Sequence, residues 1–200
     1  IPETIGSIVV SYKIPEVPGN GLRLSGPVIA DIFLGKITRW NDPRIQEINA
    51  DLQLPPREIV VVHRSDGSGT TFVWTDYLSK ISQEWNDRVG TGKAVQWPTG
   101  VGSPGNEGVS SSIKGTLYTI GYVELSYALT TNMTYAHLQN RAGNFIEPSP
   151  ESIGAAISES AGLLPAGDES WEHVSTTDAP GEGSYPISSF SYILLYKEMS

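Results

Sequence analysis

One segment, "IVVVHRSDGSGTTFVWTDYLSK" at residues 59–80, constrains the fold of this 200-residue chain more than any other. Its first four residues are apolar and β-branched, with no polar alternation, which predicts a strand at residues 59–62 that is buried on both faces. Apolar residues then recur at helical spacing, which predicts a helix at residues 71–81. A buried strand that leads directly into a helix is typical of α/β folds with a parallel sheet.

The rest of the chain alternates strand and helix signals in the same way. Strands are predicted at residues 5–12, 118–125 and 185–198, and helices at residues 27–34, 107–114, 126–130 and 151–159. The segment "ITRWNDPRIQEIN" predicts another helix, with Asn41 or Asp42 as its N-cap and Pro43 at its first position. The segment "GTGKAVQWPTGVGSPGNEG" is rich in glycine and proline, so it is predicted to be mostly loop. The expected fold class is α/β, with a mainly parallel sheet flanked by helices.

The composition excludes several classes of protein. The chain has 13 basic and 22 acidic residues and a net charge of −9, which argues against nucleic acid as a partner. It has no cysteine, and its three histidines lack zinc-ligand spacing, so neither a metal nor a cofactor is expected. No apolar run approaches the roughly 18 residues of a membrane span, so the chain is not expected to cross a membrane itself.

The turn between the strand and the helix has the groups that bind a small oxyanion. A helix start presents backbone N–H groups that have no partner within the helix, together with the positive end of the helix dipole. Gly67 and Gly69 can take positive φ and let the backbone approach a ligand closely. Ser68 and Thr70 add hydroxyl donors. These groups together suit a tetrahedral anion such as phosphate.

Arg64 and Asp66 add charge to the same turn. Arg64 ends the strand and offers a planar guanidinium that can hold two oxygens of an anion. Asp66 is unusual beside an anion, and two roles are open to it. It either orients Arg64 or accepts a proton from a protonated anion, and the second role would favour HPO₄²⁻ over sulfate.

Other interpretations of this turn differ in how well the spacing fits them. Serine, aspartate, threonine and glycine are also the ordinary residues of a capped helix start, so a purely structural turn stays open. A nucleotide-binding P-loop needs a lysine after the last glycine, and a hydrolase elbow needs G-x-S-x-G, so both are excluded. A second glycine cluster, residues 100–108, is expected to be a tight connection, although anion-facing amides there are the alternative.

Beyond these residues, the chain resembles the phosphate-binding proteins of Pst-type ABC importers. The resemblance is carried by "HRSDGSGTTFVWTDYLSK", "ADIFLGKITRWNDPRI", "VGTGKAVQWPTGVGSPGNEGV", "IGYVELSYAL" and "YPISSFSYILLYKE", in family order. It extends over most of the chain and is weakest at residues 159–183. It implies a type II periplasmic-binding fold, in which two α/β lobes joined by crossover strands close on one phosphate ion.

The resemblance also implies which residues contact the ligand. Arg64 would hold phosphate oxygens, and Asp66 would pair with Arg64. Ser68, Gly69 and Thr70 would donate hydrogen bonds from their hydroxyl or backbone groups at the helix start. The interpretation of this turn from its residue types alone agrees with all five assignments.

The sequence matches only the second lobe of that family and its hinge strands. Family members carry a preceding segment with its own anion loop, and they continue beyond the equivalent of "YKEMS". We therefore expect residues 1–12 to form a crossover or hinge strand, residues 13–184 an α/β ligand-binding lobe, and residues 185–200 a return crossover strand. The first lobe of the family is expected to be absent from this sequence.

The function expected from the sequence is that of a solute-binding protein lobe that binds inorganic phosphate for ABC-type import, without catalysis. Its partners would be phosphate and a membrane permease, and its location periplasmic or extracellular, with any membrane anchor outside this sequence. Two alternatives stay open. One is an enzyme that processes phosphate esters with the same anion site, and the other is a secreted interaction module that has lost its ligand.

Overall fold

The computed structural model describes residues 2–166, 169–171 and 174–192 of the chain. This part of the chain contains eight β-strands: β1 Pro2–Lys13, β2 Arg23–Leu24, β3 Val60–Arg64, β4 Val101–Ser103, β5 Thr119–Glu124, β6 His137–Gln139, β7 Phe145–Ile146 and β8 Ser188–Tyr192. It also contains seven α-helices: α1 Gly26–Phe33, α2 Pro43–Ile48, α3 Gly69–Ile81, α4 Gln83–Arg88, α5 Gly105–Gly115, α6 Leu125–Thr130 and α7 Pro150–Ser160. A 3₁₀ turn follows α7 at Ala161–Leu163.

The main sheet has five strands in the order β4-β3-β5-β1-β8. Strand β3 pairs in parallel with both β4 and β5, whereas β1 pairs antiparallel with both β5 and β8. Four of the five strands therefore point in one direction and β1 in the other, which confirms the expected mainly parallel sheet. The structure adds a smaller sheet of order β2-β6-β7, whose strands of two or three residues are too short to give a sequence pattern.

Helices α3 and α5 cover opposite faces of the main sheet. Consecutive side chains of a strand point to opposite faces, and β5 shows this directly. A Cβ atom at Gly121 would lie 2.8 Å from Cδ1 of Ile113 in α5, so this face of β5 lies close under that helix. The next residue, Tyr122, stacks its ring on Trp74 of α3. The strand that carries Arg64 is buried between these layers, with Val61 and Val62 at 4% and 1% exposure.

Most predicted elements are confirmed, with small shifts of their ends. Asp42 is the N-cap of α2, since its side chain accepts a hydrogen bond from the Arg44 N–H at 3.0 Å, and Pro43 opens the helix. Helix α1 ends before Gly35, which has a φ of 76° and stops the helix there. Helix α3 starts two residues earlier than predicted, at Gly69.

The segment predicted to be mostly loop contains two elements that the sequence pattern did not reveal. Strand β4 occupies residues Val101–Ser103, and α5 begins at Gly105, two residues before the predicted start. Helix α4 was also not predicted. It follows α3 after a single residue, Ser82, whose hydroxyl accepts a hydrogen bond from the Trp85 N–H at 3.2 Å.

The expected crossover strands lie side by side in the structure. Strand β1 pairs with β8 from Ser7 and Ser188 to Pro2 and Tyr192, with one irregularity near Thr4. Residue 1 and residues 193–200, which complete the two predicted crossover segments, lie outside the described residues. The division into hinge strands and lobe stays a prediction. Among the described helices, none has the length and apolar content needed to cross a membrane.

Candidate anion-binding site

Arg64 ends β3 at the edge of the sheet from which α3 departs, and its guanidinium is held in place by Asp66. The Nε and Nη2 atoms of Arg64 donate to the two carboxylate oxygens of Asp66 at 2.8 and 2.5 Å. The Arg64 side chain is only 10% exposed. One edge of the guanidinium is thus used within the protein. The N–H groups of Nη1 and the second N–H of Nη2, on the opposite edge, are left to hold two oxygens of a ligand.

Asp66 accepts hydrogen bonds from two elements. Besides its bonds to Arg64, its Oδ1 atom accepts from the Gly105 N–H at 3.0 Å, at the start of α5. The hydrogen bonds from Arg64 lower the pKa of Asp66 far below its ordinary value, and the Gly105 amide lowers it further. Asp66 therefore stays ionised, and three N–H donors share its oxygens. Of the two roles left open by the sequence, this geometry supports orientation of Arg64.

Helix α3 begins beside this pair with Ser68 as its N-cap. The Ser68 side chain is 6% exposed, and its Oγ atom accepts from the Thr71 N–H at 3.3 Å. The Ser68 N–H donates to the carbonyl oxygen of Lys93 at 2.9 Å, which anchors the turn to the following loop. Within the described part of the chain, the N–H groups of Gly69 and Thr70 meet no hydrogen-bond acceptor. These two amides are therefore free for a ligand.

The two glycines of the turn contribute through their lack of a side chain. Neither Gly67 nor Gly69 has a positive φ, so the turn does not use the left-handed conformation that glycine permits. The turn is made instead by Ser68 in an extended conformation, with φ −146° and ψ 136°. A Cβ atom at Gly67 or at Gly69 would meet no described atom within 4 Å. Their contribution is open space in front of the helix start.

We call the Nη1 end of Arg64 together with the first-turn groups of Ser68, Gly69 and Thr70 the cradle. The structure brings all five predicted residues, Asp66 included, into one strand-to-helix turn. No hydrogen bond from the Thr70 hydroxyl is found within the described residues, so this donor is free as well. The combination of a guanidinium, two amides and hydroxyl groups at a helix N-terminus suits an oxyanion.

The second glycine cluster forms a tight connection and also closes one side of the site. Gly105 has a φ of 65°, and a Cβ atom there would lie 2.7 Å from Oε2 of Glu107. Its amide faces Asp66 and not open space. Glu107 Oε1 accepts from the Tyr127 hydroxyl at 2.8 Å, and the pKa of Glu107 is lowered first by its own backbone N–H and next by this bond. The carboxylates of Asp66 and Glu107 thus lie at the start of α5, where the alternative interpretation placed amides that face an anion.

Tyr122 is a residue of this site that the sequence did not reveal. Its hydroxyl accepts from the Arg64 N–H at 3.2 Å and lies 2.7 Å from Oγ1 of Thr71. Burial raises the pKa of Tyr122 to about 12, so the hydroxyl is neutral. Its ring stacks on Trp74, with centroids 4.9 Å apart. The one sequence signal for Tyr122 is that an aromatic residue occurs in a predicted buried strand, and such residues usually belong to the core.

His63 lies close in sequence to Asp66 and Ser68, but within the described part of the chain it makes no hydrogen bond with either of them. Its ring stacks on Trp97 with centroids 4.5 Å apart, and its Nδ1 atom lies 3.0 Å from the Arg64 carbonyl oxygen. Burial lowers its pKa. The Ser68 hydroxyl accepts instead from its own helix. Across residues 2–166, 169–171 and 174–192, no group of three histidine, aspartate or glutamate side chains is arranged to hold a metal ion.

Comparison with known proteins assigns this chain to a family. A family model described as "PBP superfamily domain" matches residues 1–200. The chain belongs to this superfamily. This chain is 49% identical over 201 residues to the phosphate-binding protein PstS of Pasteurella multocida, and the match covers 98% of this chain and 56% of that protein. It is 46% identical over 205 residues to the phosphate-binding protein PstS of Methanocaldococcus jannaschii, covering 98% of this chain and 53% of that protein.

Solved structures share the fold of this PBP superfamily domain. One is a high-affinity periplasmic phosphate-binding protein (PfluDING) with bound phosphate, with a TM-score of 0.63 and 20% identity, covering 95% of this chain and 55% of that one. Another is a putative phosphate ABC transporter substrate-binding protein with bound phosphate from Clostridium perfringens, with a TM-score of 0.56 and 23% identity, covering 78% of this chain and 53% of that one. The domain spans about half the length of the curated relatives it matches.

Proposed function

We propose that this PBP superfamily domain binds inorganic phosphate at the cradle, as one lobe of a solute-binding protein for ABC-type import. Arg64, Ser68, Gly69 and Thr70 contact the anion, and Asp66 orients Arg64. No covalent bond is made or broken in this function. The bound phosphate passes to a membrane permease, and the protein acts in the periplasm or outside the cell.

One observation carries the proposal: the amides of Gly69 and Thr70 have no acceptor within the described residues, and they lie next to an arginine whose other edge is fixed by Asp66. Free N–H groups at the start of a helix of 13 residues attract an anion through their hydrogen bonds and through the helix dipole. The names of the PstS relatives support phosphate as this anion. Their greater length supports a second lobe on the opposite side of the ligand.

The direct test is a titration of the chain with phosphate, followed by the amide resonances of Gly69 and Thr70 in NMR spectra. This measurement detects weak binding, which is what one lobe with half of the contacts is expected to show. We expect these two amides to shift in a saturable manner, while resonances on the far side of the sheet do not. Sulfate in a parallel titration measures the preference between the two anions.

The variant Arg64→Ala should weaken phosphate binding roughly ten- to hundredfold, because hydrogen bonds from a charged group contribute about 1.5–3 kcal/mol. Arg44→Ala is the matched control. Arg44 also holds an aspartate two residues away through its Nε and Nη2 atoms, at Asp42, but it lies on α2 outside the cradle. Equal effects of the two variants would contradict the proposal.

The two alternatives predict other outcomes. An enzyme that uses the cradle for substrate binding would release phosphate from a phosphomonoester such as p-nitrophenyl phosphate, and Arg64→Ala would abolish that release. An interaction module that has lost its ligand would show no shift of the Gly69 and Thr70 amides at any phosphate concentration. Either result would overturn the proposed function.

A further inference from the structure

We propose that Tyr122 is a positioning residue whose hydroxyl holds the two halves of the cradle, the end of β3 and the start of α3, in their binding geometry. The inference rests on the proposed function, because it assigns a role in phosphate binding to a residue that has no contact with open space. Tyr122 is 0% exposed. It therefore acts through Arg64 and Thr71 and not on the ligand.

The first observation concerns the end of β3. The parallel register between β3 and β5 runs from Val60 opposite Thr119 to Val62 opposite Gly121. Arg64 lies two residues beyond the last registered pair, and its N–H donates to the Tyr122 hydroxyl at 3.2 Å. The Arg64 N–H thus donates to a side-chain oxygen of β5, where a regular parallel ladder would offer a backbone carbonyl oxygen. The direction of the Arg64 side chain depends on this backbone position.

The second observation concerns the start of α3. The Tyr122 hydroxyl lies 2.7 Å from Oγ1 of Thr71, whose side chain is 1% exposed. Thr71 directly follows the two free amides, and its own N–H donates to the N-cap oxygen of Ser68. One hydroxyl group therefore joins the strand end to the first turn of the helix.

The third observation is that the ring is fixed, so the hydroxyl cannot move away. The Tyr122 ring stacks on Trp74 with an interplanar angle of 9° and lies 5.8 Å from Trp97, centroid to centroid. Trp74 belongs to α3, so the ring packs against the same helix that its hydroxyl contacts. Without the hydroxyl, the buried Arg64 N–H and Thr71 hydroxyl lose this partner, and the strand end and helix start can shift relative to each other.

The test uses Tyr122→Phe, which keeps the stacked ring and removes only the oxygen. Tyr12→Phe is a matched control. Tyr12 is also buried, its hydroxyl accepts from the Leu22 N–H at 3.2 Å, and it donates to the Gly19 carbonyl at 2.7 Å, away from the cradle. Two readouts are compared in each variant: phosphate affinity from NMR titration, and amide hydrogen exchange of Arg64, Gly69 and Thr70 without phosphate.

We expect Tyr122→Phe to weaken phosphate binding by about fivefold or more and to speed exchange of the Arg64 amide by a similar factor, as expected for one lost hydrogen bond. Tyr12→Phe should leave both quantities unchanged, although it also removes a buried hydroxyl. Unchanged affinity in Tyr122→Phe would overturn the inference. So would weaker binding with unchanged exchange, because the cradle geometry would then be intact without the hydroxyl.

A second pair of variants tests the same oxygen from its other side. Thr71→Val removes the threonine hydroxyl, whereas Thr71→Ser retains it, so binding should fall in the first variant and recover in the second. Equal binding in both would count against the positioning role. If the unmodified chain binds no phosphate, the proposed function fails, but the exchange rates of the Arg64 amide in Tyr122→Phe and Tyr12→Phe still decide whether Tyr122 positions this turn.

Discussion

Two glycines around the cradle have opposite conformational requirements, although each is the first residue of a helix. Gly69 opens α3 without a positive φ and faces open space, so a side chain fits there. Gly105 has a φ of 65° and lies against the Glu107 carboxylate, so a side chain does not fit. Composition alone cannot separate these two positions.

We therefore predict opposite effects of alanine at these two positions. Gly69→Ala should leave the free energy of unfolding unchanged or raise it by up to about 1 kcal/mol, because alanine is the better helix former. Gly105→Ala should lower it by roughly 1–2 kcal/mol, the cost of a left-handed residue with a Cβ atom. Urea denaturation of both variants measures the difference, and a loss of stability in Gly69→Ala would contradict the described turn.

His63 gives the chain a pH-dependent stability near neutrality. Burial lowers its pKa in the folded chain, whereas the unfolded chain has the ordinary value of 6.5. Its contribution to stability is therefore complete above about pH 6.5 and is lost as the pH falls through the lower, folded pKa. Asp66, whose pKa is also lowered, loses its contribution in a separate window below its ordinary value of 3.8.

The prediction is that the free energy of unfolding falls between pH 7 and pH 5, and that His63→Phe makes this fall smaller. Phenylalanine keeps a ring against Trp97 but does not bind a proton. His137→Phe, which changes a histidine outside this stack, serves as the control. Denaturation curves at several pH values measure the effect. An identical pH dependence in the wild type and His63→Phe would show that another group is responsible.

At the scale of secondary structure elements, the start of α3 combines an N-cap with the proposed anion-binding groups. Its N-cap, Ser68, satisfies the Thr71 amide, while the two amides between them stay free. Helix α4 has the same kind of cap, with Ser82 bonded to the Trp85 amide at 3.2 Å, but its first turn contains an acidic residue, Glu84. The two helices therefore form a natural pair for comparison.

We predict that Ser68→Ala and Ser82→Ala each lower the free energy of unfolding by about 1 kcal/mol, the usual contribution of an N-cap. Only Ser68→Ala should also weaken phosphate binding, since it removes a donor of the cradle. Urea denaturation and the phosphate titration, run on both variants, separate the two effects. A similar loss of binding in Ser82→Ala would mean that the cap acts only through overall stability.

The elements that could be predicted from sequence are those with local signals. Strand β3 follows from an unbroken apolar run, α3 from the helical spacing of apolar residues, and α2 from Asp42 followed by Pro43. The four cradle residues and Asp66 could also be found, because they are consecutive or nearly so in the sequence. Strand–turn–helix patterns of this kind need no knowledge of the remaining chain.

The remaining features depend on contacts between distant residues. Strand β4 has three residues, which is too short for any period to show. The bond from Gly105 to Asp66 joins residues 39 positions apart, and the bond from Arg64 to Tyr122 joins residues 58 apart. Nothing in the sequence near either partner indicates such a contact. The supporting groups of the site therefore became visible only in the folded chain.

For the whole molecule, the important property is a negative net charge around the proposed anion site. The chain carries a charge of −9, and Asp66 and Glu107 lie beside the cradle itself. Attraction of phosphate must then come from hydrogen bonds and the helix dipole at short range, because the field of the whole protein repels the ligand. Long-range repulsion is screened by salt, whereas short-range bonds are much less affected.

We predict that phosphate associates faster with the chain as sodium chloride rises from about 0.01 to 0.15 M, over which the screening length falls from roughly 30 to 8 Å. The dissociation rate should change little. Stopped-flow or NMR exchange measurements at several salt concentrations give both rates. A slower association at higher salt would mean that the Arg64 charge outweighs the field of the remaining chain.

Strand β4 has a consequence for self-association. In the described part of the chain it pairs with β3 alone, which makes it an edge of the main sheet, and Val101 there is 52% exposed. An exposed edge is a template for strand addition by another chain and so for aggregation. Here the template is three residues long and ends at Pro104, which has no N–H to donate. The edge beside Arg64 is thus poorly suited to strand addition by a second copy of the chain.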